Sequence, residues 1–246
     1  MSKENLFIVL KKAFIDFYKN WRVVMPSLLL FAFFVIFSEI SVEVNRKLNS
    51  DASLTAWLIF FSLISLLALG AFLSGLIGMC FEAVNKRKTK IGDFLRYSKK
   101  FWLSNFIIII VILVFYNIIW FIAHNAAMLI GKSLNLPLGI AKGVFFVLYF
   151  AGLAGAIIFL TFSSFYLIMG DRGIFKSLRS SALLVKREYI RTLSIIIIFF
   201  ALNGILELLG NRIIIELINA VLIVPYLALV LTRFVLNSEK KNDLRT

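Results

Sequence analysis

Six Lys or Arg residues, Arg172, Lys176, Arg179, Lys186, Arg187 and Arg191, stand directly ahead of residues 192–206, a run without a charged side chain. Ammonium and guanidinium groups set against an apolar segment recognise phosphate oxygens, the first as a point charge and the second as a fork of donors. The arrangement occurs twice more. Lys11, Lys12, Lys19 and Arg22 precede "VVMPSLLLFAFF", and Arg96, Lys99 and Lys100 precede "FWLSNFIIIIVILVF". Together with Lys176, Arg179, Lys186, Arg187 and Arg191, these residues form a candidate basic surface facing lipid headgroups.

Bond-making chemistry finds few candidates. The one cysteine, Cys80, has no partner for an intramolecular disulfide, and the one histidine, His124, has no second imidazole or thiolate with which to share a metal. "AAMLIGKS", residues 126–133, has Ala126 where a phosphate-binding loop needs its first glycine, and no strand precedes it. No nucleophile elbow, metalloprotease helix or paired acidic constellation occurs. The sequence therefore predicts no catalytic residue, no metal, no cofactor and no enzyme. Basic residues interleaved with aromatics also occur in nucleic-acid binders, but a membrane surface explains them here and no nucleic acid is expected as a partner.

The elements that carry these bases are dictated by composition. Of 246 residues, 61% are apolar and 16% charged, against about 45–50% and about 25% in a soluble domain, and the mean hydropathy is +0.95. Residues 52–81, 101–123 and 143–170 are free of charge, each long enough for a hydrocarbon core of about 30 Å. Residues 23–38, 192–206 and 217–232 are slightly shorter and extend into apolar flanks. The expectation is an all-α polytopic membrane protein, a single domain over residues 1–246 with six transmembrane helices. The first apolar segment is interrupted by Lys11, Lys12, Asp16 and Lys19, so no cleavable signal is expected.

Orientation follows from charge. Of the 27 Lys and Arg, 22 fall on the side of the chain termini and five, Arg46, Lys47, Lys132, Lys142 and Arg212, on the other. By the positive-inside rule both termini face the cytoplasm of a cell (inner or plasma) membrane. The acids divide eight to five, so the cytoplasmic side carries the whole net charge of +14, opposite anionic lipids that attract each base by roughly 1 kcal/mol.

Periodicity adds surface helices. Ile174, Leu178, Ala182, Val185 and Tyr189 stack on one helical face with Lys176, Arg179, Lys186 and Arg187 mostly off it. Leu6, Leu10, Phe14, Phe17 and Trp21 do the same among Lys11, Lys12, Asp16 and Lys19, as do Ile91, Phe94, Leu95, Trp102 and Phe106 among Arg96, Lys99 and Lys100. The pattern predicts three interfacial helices with their apolar sides toward acyl chains. Each precedes a transmembrane hairpin, giving repeat units over about residues 5–85, 89–171 and 173–238. Small residues at Gly70, Ala71, Ser74, Gly75 and Gly78, and at Ala151, Gly152, Gly155 and Ala156, predict close helix packing, and Pro225 predicts a kink in the sixth span.

A second candidate site lies at the opposite end. Glu207, Arg212 and Glu216 border the short third hairpin, with Asn203, Asn219 and Asn117 at similar depth on three helices. Polar groups in hydrocarbon are costly unless paired or wet. They are expected to converge, either as hydrogen bonds between helices around an Arg212 ion pair or as a polar pocket with Glu207 as its charged group.

"SALLVKREYIR" matches, at Ser181, Lys186, Tyr189 and Arg191, a motif S-x-x-x-x-K-x-x-[FYW]-x-R, and "AFIDFYKNWR" is similar through Lys19, Trp21 and Arg22. In these short motifs, and in its six-span architecture, the chain resembles the membrane domain of some glycerophosphodiester phosphodiesterases and its prokaryotic relatives. That resemblance implies a membrane domain of unassigned activity. The reading from charge is a non-enzymatic membrane protein that engages anionic lipid, or a membrane or cytoplasmic protein partner, through its basic helices. The alternative is a small-solute transporter or a substrate-binding membrane subunit of one.

Overall fold

The computed structural model describes residues 6–48, 51–86, 88–134, 137–208 and 210–243. Among the described residues 92% are helical and none is in a strand. In order the elements are α1 (Leu6–Lys19), a 3-10 turn (Trp21–Val23), α2 (Val24–Lys47), α3 (Asp51–Lys86), α4 (Ile91–Ser133), α5 (Leu138–Leu160), α6 (Ser163–Met169), α7 (Ile174–Arg187), α8 (Tyr189–Glu207), α9 (Arg212–Ile218), a π turn (Asn219–Ile223) and α10 (Val224–Asp243). Five stretches are long and apolar enough to cross a membrane: Trp21–Lys47, Ala52–Lys86, Ile91–Ser133, Tyr189–Glu207 and Arg212–Glu239. A shorter apolar stretch, Lys142–Ala156, lies within α5.

The closest seam joins α3 to α4, which the sequence assigns to different repeat units. At Gly70 a Cβ would stand 3.0 Å from the Trp102 carbonyl oxygen and 3.1 Å from the Phe106 amide nitrogen, so the missing side chain lets two backbones meet. One and two turns on, Phe94 fills the space over Gly75 and Tyr97 that over Gly78. Ser98 Oγ donates to the Ala71 carbonyl (2.8 Å) and Asn105 Nδ2 to that of Gly70 (3.3 Å), while Ser164 Oγ on α6 donates to Asn105 Oδ1 (2.6 Å). This is small-residue packing of the kind helices use in lipid, where apolar burial between them is worth little. The expectation for α5 holds at Gly152, against Ile119, and not at Gly155, beside which a Cβ would meet no described atom.

Pro225 is accommodated by a change of helix type. It sits in the first turn of α10, directly after the π turn, and has no N–H to donate backward. Ser27 Oγ on α2 donates instead to the Ala220 carbonyl at 2.6 Å, so a side chain of another span supplies the missing donor.

The buried core gathers at one end of the bundle. Val23, Ile77, Cys80, Phe101, Phe162, Val185, Leu229 and Phe234 are enclosed there. Toward the other end Val35, Ile36, Leu58, Ile59, Phe121, Ile122, Val147 and Phe200 face outward, an apolar coat of the kind that hydrocarbon solvates.

Two of the three expected surface helices exist as separate elements. α1 ends at Asn20 and α7 at Glu188, both in non-helical backbone. The third is a correction: residues 91–100 are the opening turns of α4, which runs 43 residues without interruption, about 65 Å at 1.5 Å per residue. No proline or glycine after Gly92 breaks it before Gly131, and Phe94 and Tyr97 lock its first turns onto α3.

The apolar faces are corrected as well. On α7, Ile174, Leu178, Ala182 and Val185 turn inward together with Ser177 and Ser181, and Phe175 and Leu183 face outward. Ser181 accounts for the inward side: it donates to the Phe159 carbonyl (2.6 Å) and accepts from the Phe162 amide (3.2 Å), satisfying the backbone where α5 breaks into α6. On α1 the buried line is Val9, Ala13, Asp16 and Asn20, whereas Phe14 and Trp21, expected on the same face as Leu6, Leu10 and Phe17, are exposed. Apolar periodicity marks a face that avoids water, and both a bilayer and a neighbouring helix satisfy that requirement.

Candidate functional site

Buried acids assemble the basic end. Asp16 on α1 receives a very short hydrogen bond from Arg233 Nε on α10, and Tyr226 Oη donates to the Leu10 carbonyl (3.1 Å), so α1 is fastened along α10. Glu82, nearly enclosed at the end of α3, accepts from Arg96 (2.5 Å), the Tyr97 hydroxyl (2.9 Å) and Lys86 (2.8 Å). Arg172 donates to Glu239 (2.7 Å) and Ser180 (2.8 Å) and covers the Tyr166 ring at 5.0 Å. Burial, then the Glu239 carboxylate, pushes the Tyr166 phenol up to about 12, so it stays neutral under Arg172. Lys100 reaches Asp171 at 2.7 Å, on the turn between α6 and α7 where Asp171 adopts a left-handed φ of 47°. These contacts draw α1, both ends of the α3–α4 connection, the α6–α7 turn and the end of α10 into one surface.

Sequence reasoning placed Asp16 among the off-face residues and gave Glu82, Arg233 and Glu239 no role. One signal was available: Asp16 falls seven residues after Val9 and three after Ala13, within an otherwise apolar line. An acid on a buried face needs a partner from another element, and that partner lies 217 positions away.

Arg96 is bound by Glu82 and Asp93 and Lys100 by Asp171, contacts that join separate elements, while Arg191 pairs locally with Glu188 at 3.4 Å. Lys11, Lys12, Lys19, Arg22, Lys99, Lys176, Arg179, Lys186 and Arg187 are exposed, as are Arg96 and Lys100. On α1 they flank an outward stripe: Phe7, Phe14 and Tyr18, at spacings of seven and four, project from one side, and with Trp21 in the following turn they are 61–81% exposed. α1 thus has a face toward the protein, an aromatic face toward the surroundings and a basic flank between them. Lys12, Ile15, Asp16 and Lys19 of α1 and Asn20 after it, with Val84 of α3 and Arg233 of α10, line an open recess of about 410 Å³.

The outer residues pair locally. Asn117 Nδ2 donates to Leu113 of its own helix (2.8 Å) and Asn203 Nδ2 to Phe199 of its own (2.9 Å). Arg212 pairs with Glu216 one turn away (2.8 Å), with the Arg212 side chain 91% exposed. Glu207 is exposed, and Asn219 Oδ1 is buried in the π turn without a hydrogen-bond partner among the described residues. No hydrogen bond between helices joins these groups among the described residues: an amide in an apolar helix satisfies itself on the carbonyl one turn back.

A family model described as a domain of unknown function, DUF7847, matches residues 23–238. The chain belongs to this family. No curated protein and no solved structure matches it. The DUF7847 match begins at Val23, so α1 and its aromatic stripe precede it, while Glu82, Arg96, Arg172, the α7 bases and Arg233 fall inside it. Over the matched residues the chain is all-helical among the described residues and of multi-pass membrane character.

Proposed function

We propose that the protein is a non-enzymatic, six-span membrane protein whose basic end lies at the cytoplasmic face of the cell membrane and engages anionic lipid. α5 is the sixth span: its 23 residues measure about 34 Å, enough for the hydrocarbon core. The spans then pair as three hairpins, α2 with α3, α4 with α5, and α8 with α9 and α10. The observation that carries the reading is α1, whose exposed Phe7, Phe14, Tyr18 and Trp21 run beside Lys11, Lys19 and Arg22. Aromatic side chains prefer the headgroup level and bases beside them meet phosphates. The motif over Ser181, Lys186, Tyr189 and Arg191 supports grouping the chain with the phosphodiesterase-associated membrane domains it resembles, as a lipid-engaging module.

The test is lipid selectivity in reconstituted bilayers. Spin-labelled phosphatidylglycerol should associate with the protein severalfold more strongly than spin-labelled phosphatidylcholine. The preference should shrink between 0.1 and 1 M salt, as the screening length falls from about 10 to about 3 Å. Lys11→Gln/Lys19→Gln/Arg22→Gln should reduce it. Equal association of the two lipids at low salt would contradict the reading.

A further inference from the structure

We propose that α1 and α7 together form a curvature-sensing surface, whose partner is a bilayer leaflet bent convex at the basic end. This rests on the interfacial position of α1 proposed above. α1 turns Phe7, Phe14 and Tyr18 outward, and Trp21 follows them toward α2. α7 presents Phe175 and Leu183, eight residues apart on one helical face, and Tyr189 and Ile190 continue them into α8. Phe7, Tyr18, Phe175 and Ile190 are 70–86% exposed. Both outward faces run into the apolar coat of a span, since α2 begins at Val24 and α8 at Tyr189. The bilayer that covers the spans therefore covers these faces too, at headgroup level.

The placement is one-sided. α1 is tied to α10 through Arg233, and the turn before α7 is tied to it six residues further on through Glu239, so the two helices share one end of the molecule. At the other end α4 leads to α5 and α8 to α9 with no surface helix among the described residues. Each of the two surface helices has 14 residues, about 21 Å by about 10 Å, so together they add up to about 400 Å² to one leaflet. Neither can turn its apolar side away. Arg233 holds Asp16 of α1, and Ser181 of α7 is bonded to the Phe159 carbonyl and the Phe162 amide. Area wedged into a flat leaflet crowds the lipids beside it, whereas a convex leaflet already has gaps between its headgroups, which is why interfacial helices respond to curvature.

The experiment uses the full chain in giant vesicles of phosphatidylcholine, where anionic headgroups play no part. A tag after α10 is labelled from outside with an impermeant dye, so that only copies with the basic end outward are seen. On narrow tethers pulled from the vesicles these copies should be at least threefold enriched over the parent membrane. Copies with the basic end inward, seen after outside dye is quenched, should be depleted. Phe7→Ser/Tyr18→Ser/Phe175→Ser/Ile190→Ser, all at exposed positions, should keep the melting temperature and lose more than half of the enrichment. Leu208→Ser/Ile213→Ser, also at exposed positions but on the third hairpin's connection, should sort as the wild type does. Even distribution of the wild type, enrichment of both orientations, undiminished sorting of the fourfold variant or equal loss in the two variants would overturn the proposal. If the fourfold variant unfolds, the contrast between the two wild-type orientations decides alone. A failed phosphatidylglycerol preference would leave this sorting untouched, because no anionic lipid is present.

Discussion

Asp16→Ala should lower stability by about 3 kcal/mol, the low end of the cost of removing one partner from a buried ion pair. Arg233 would keep its charge in a site where its side chain is only 19% exposed, and α1 would lose its charged attachment to α10. Asp16→Ala/Arg233→Met should recover a large part of the loss, because an apolar side chain of similar length asks for no partner there. Thermal unfolding of the single and double variants in one detergent measures this as a coupling energy. Two losses that simply add would mean that the two side chains do not act on one another.

The second large effect is expected in the α3–α4 seam. A Cβ at Gly78 would overlap the Cγ and Cβ of Tyr97, and Tyr97 has little freedom to withdraw, because its hydroxyl donates to the nearly buried Glu82 carboxylate at 2.9 Å. Gly78→Ala gains up to about 1 kcal/mol of helix propensity and pays for overpacking by about 1–3 kcal/mol or more, with a Glu82 hydrogen bond at risk as well. The net expectation is a loss of about 2 kcal/mol. Gly155→Ala is the matched control, since no described atom stands near its added methyl. It should be neutral or slightly stabilising. Equal melting temperatures for the two variants would contradict the close-packed seam.

Much of this architecture is legible because hydrocarbon imposes a coarse requirement on sequence. A charge-free run of twenty residues admits few alternatives to a spanning helix, and residues 52–81 and 101–123 accordingly fall within α3 and α4. What stays hidden depends on azimuth and on distant partners. Spacing gave the depth of Asn117 and Asn203 along their helices and left unknown the direction of each side chain, which turns to its own backbone. The break at Thr161 and Phe162 carries no proline or glycine, and it is completed by Ser181 some twenty residues later. The candidate site was half visible for the same reason. Lys12 and Lys19 stood out as bases beside an apolar run, whereas Arg233 joins them only once α10 is packed along α1.

The central claim is that an even number of spans places the whole basic end on the cytoplasmic side. Single-cysteine labelling with a membrane-impermeant maleimide tests it most directly, in a Cys80→Ala background that removes the one buried native thiol. Lys47→Cys, Leu134→Cys and Arg212→Cys, all at exposed positions or helix ends, should label on intact cells. Lys19→Cys, Lys88→Cys and Lys176→Cys should label only after permeabilisation. Labelling of Lys176→Cys on intact cells would mean that α4 and α5 do not cross as a pair, and would contradict the account.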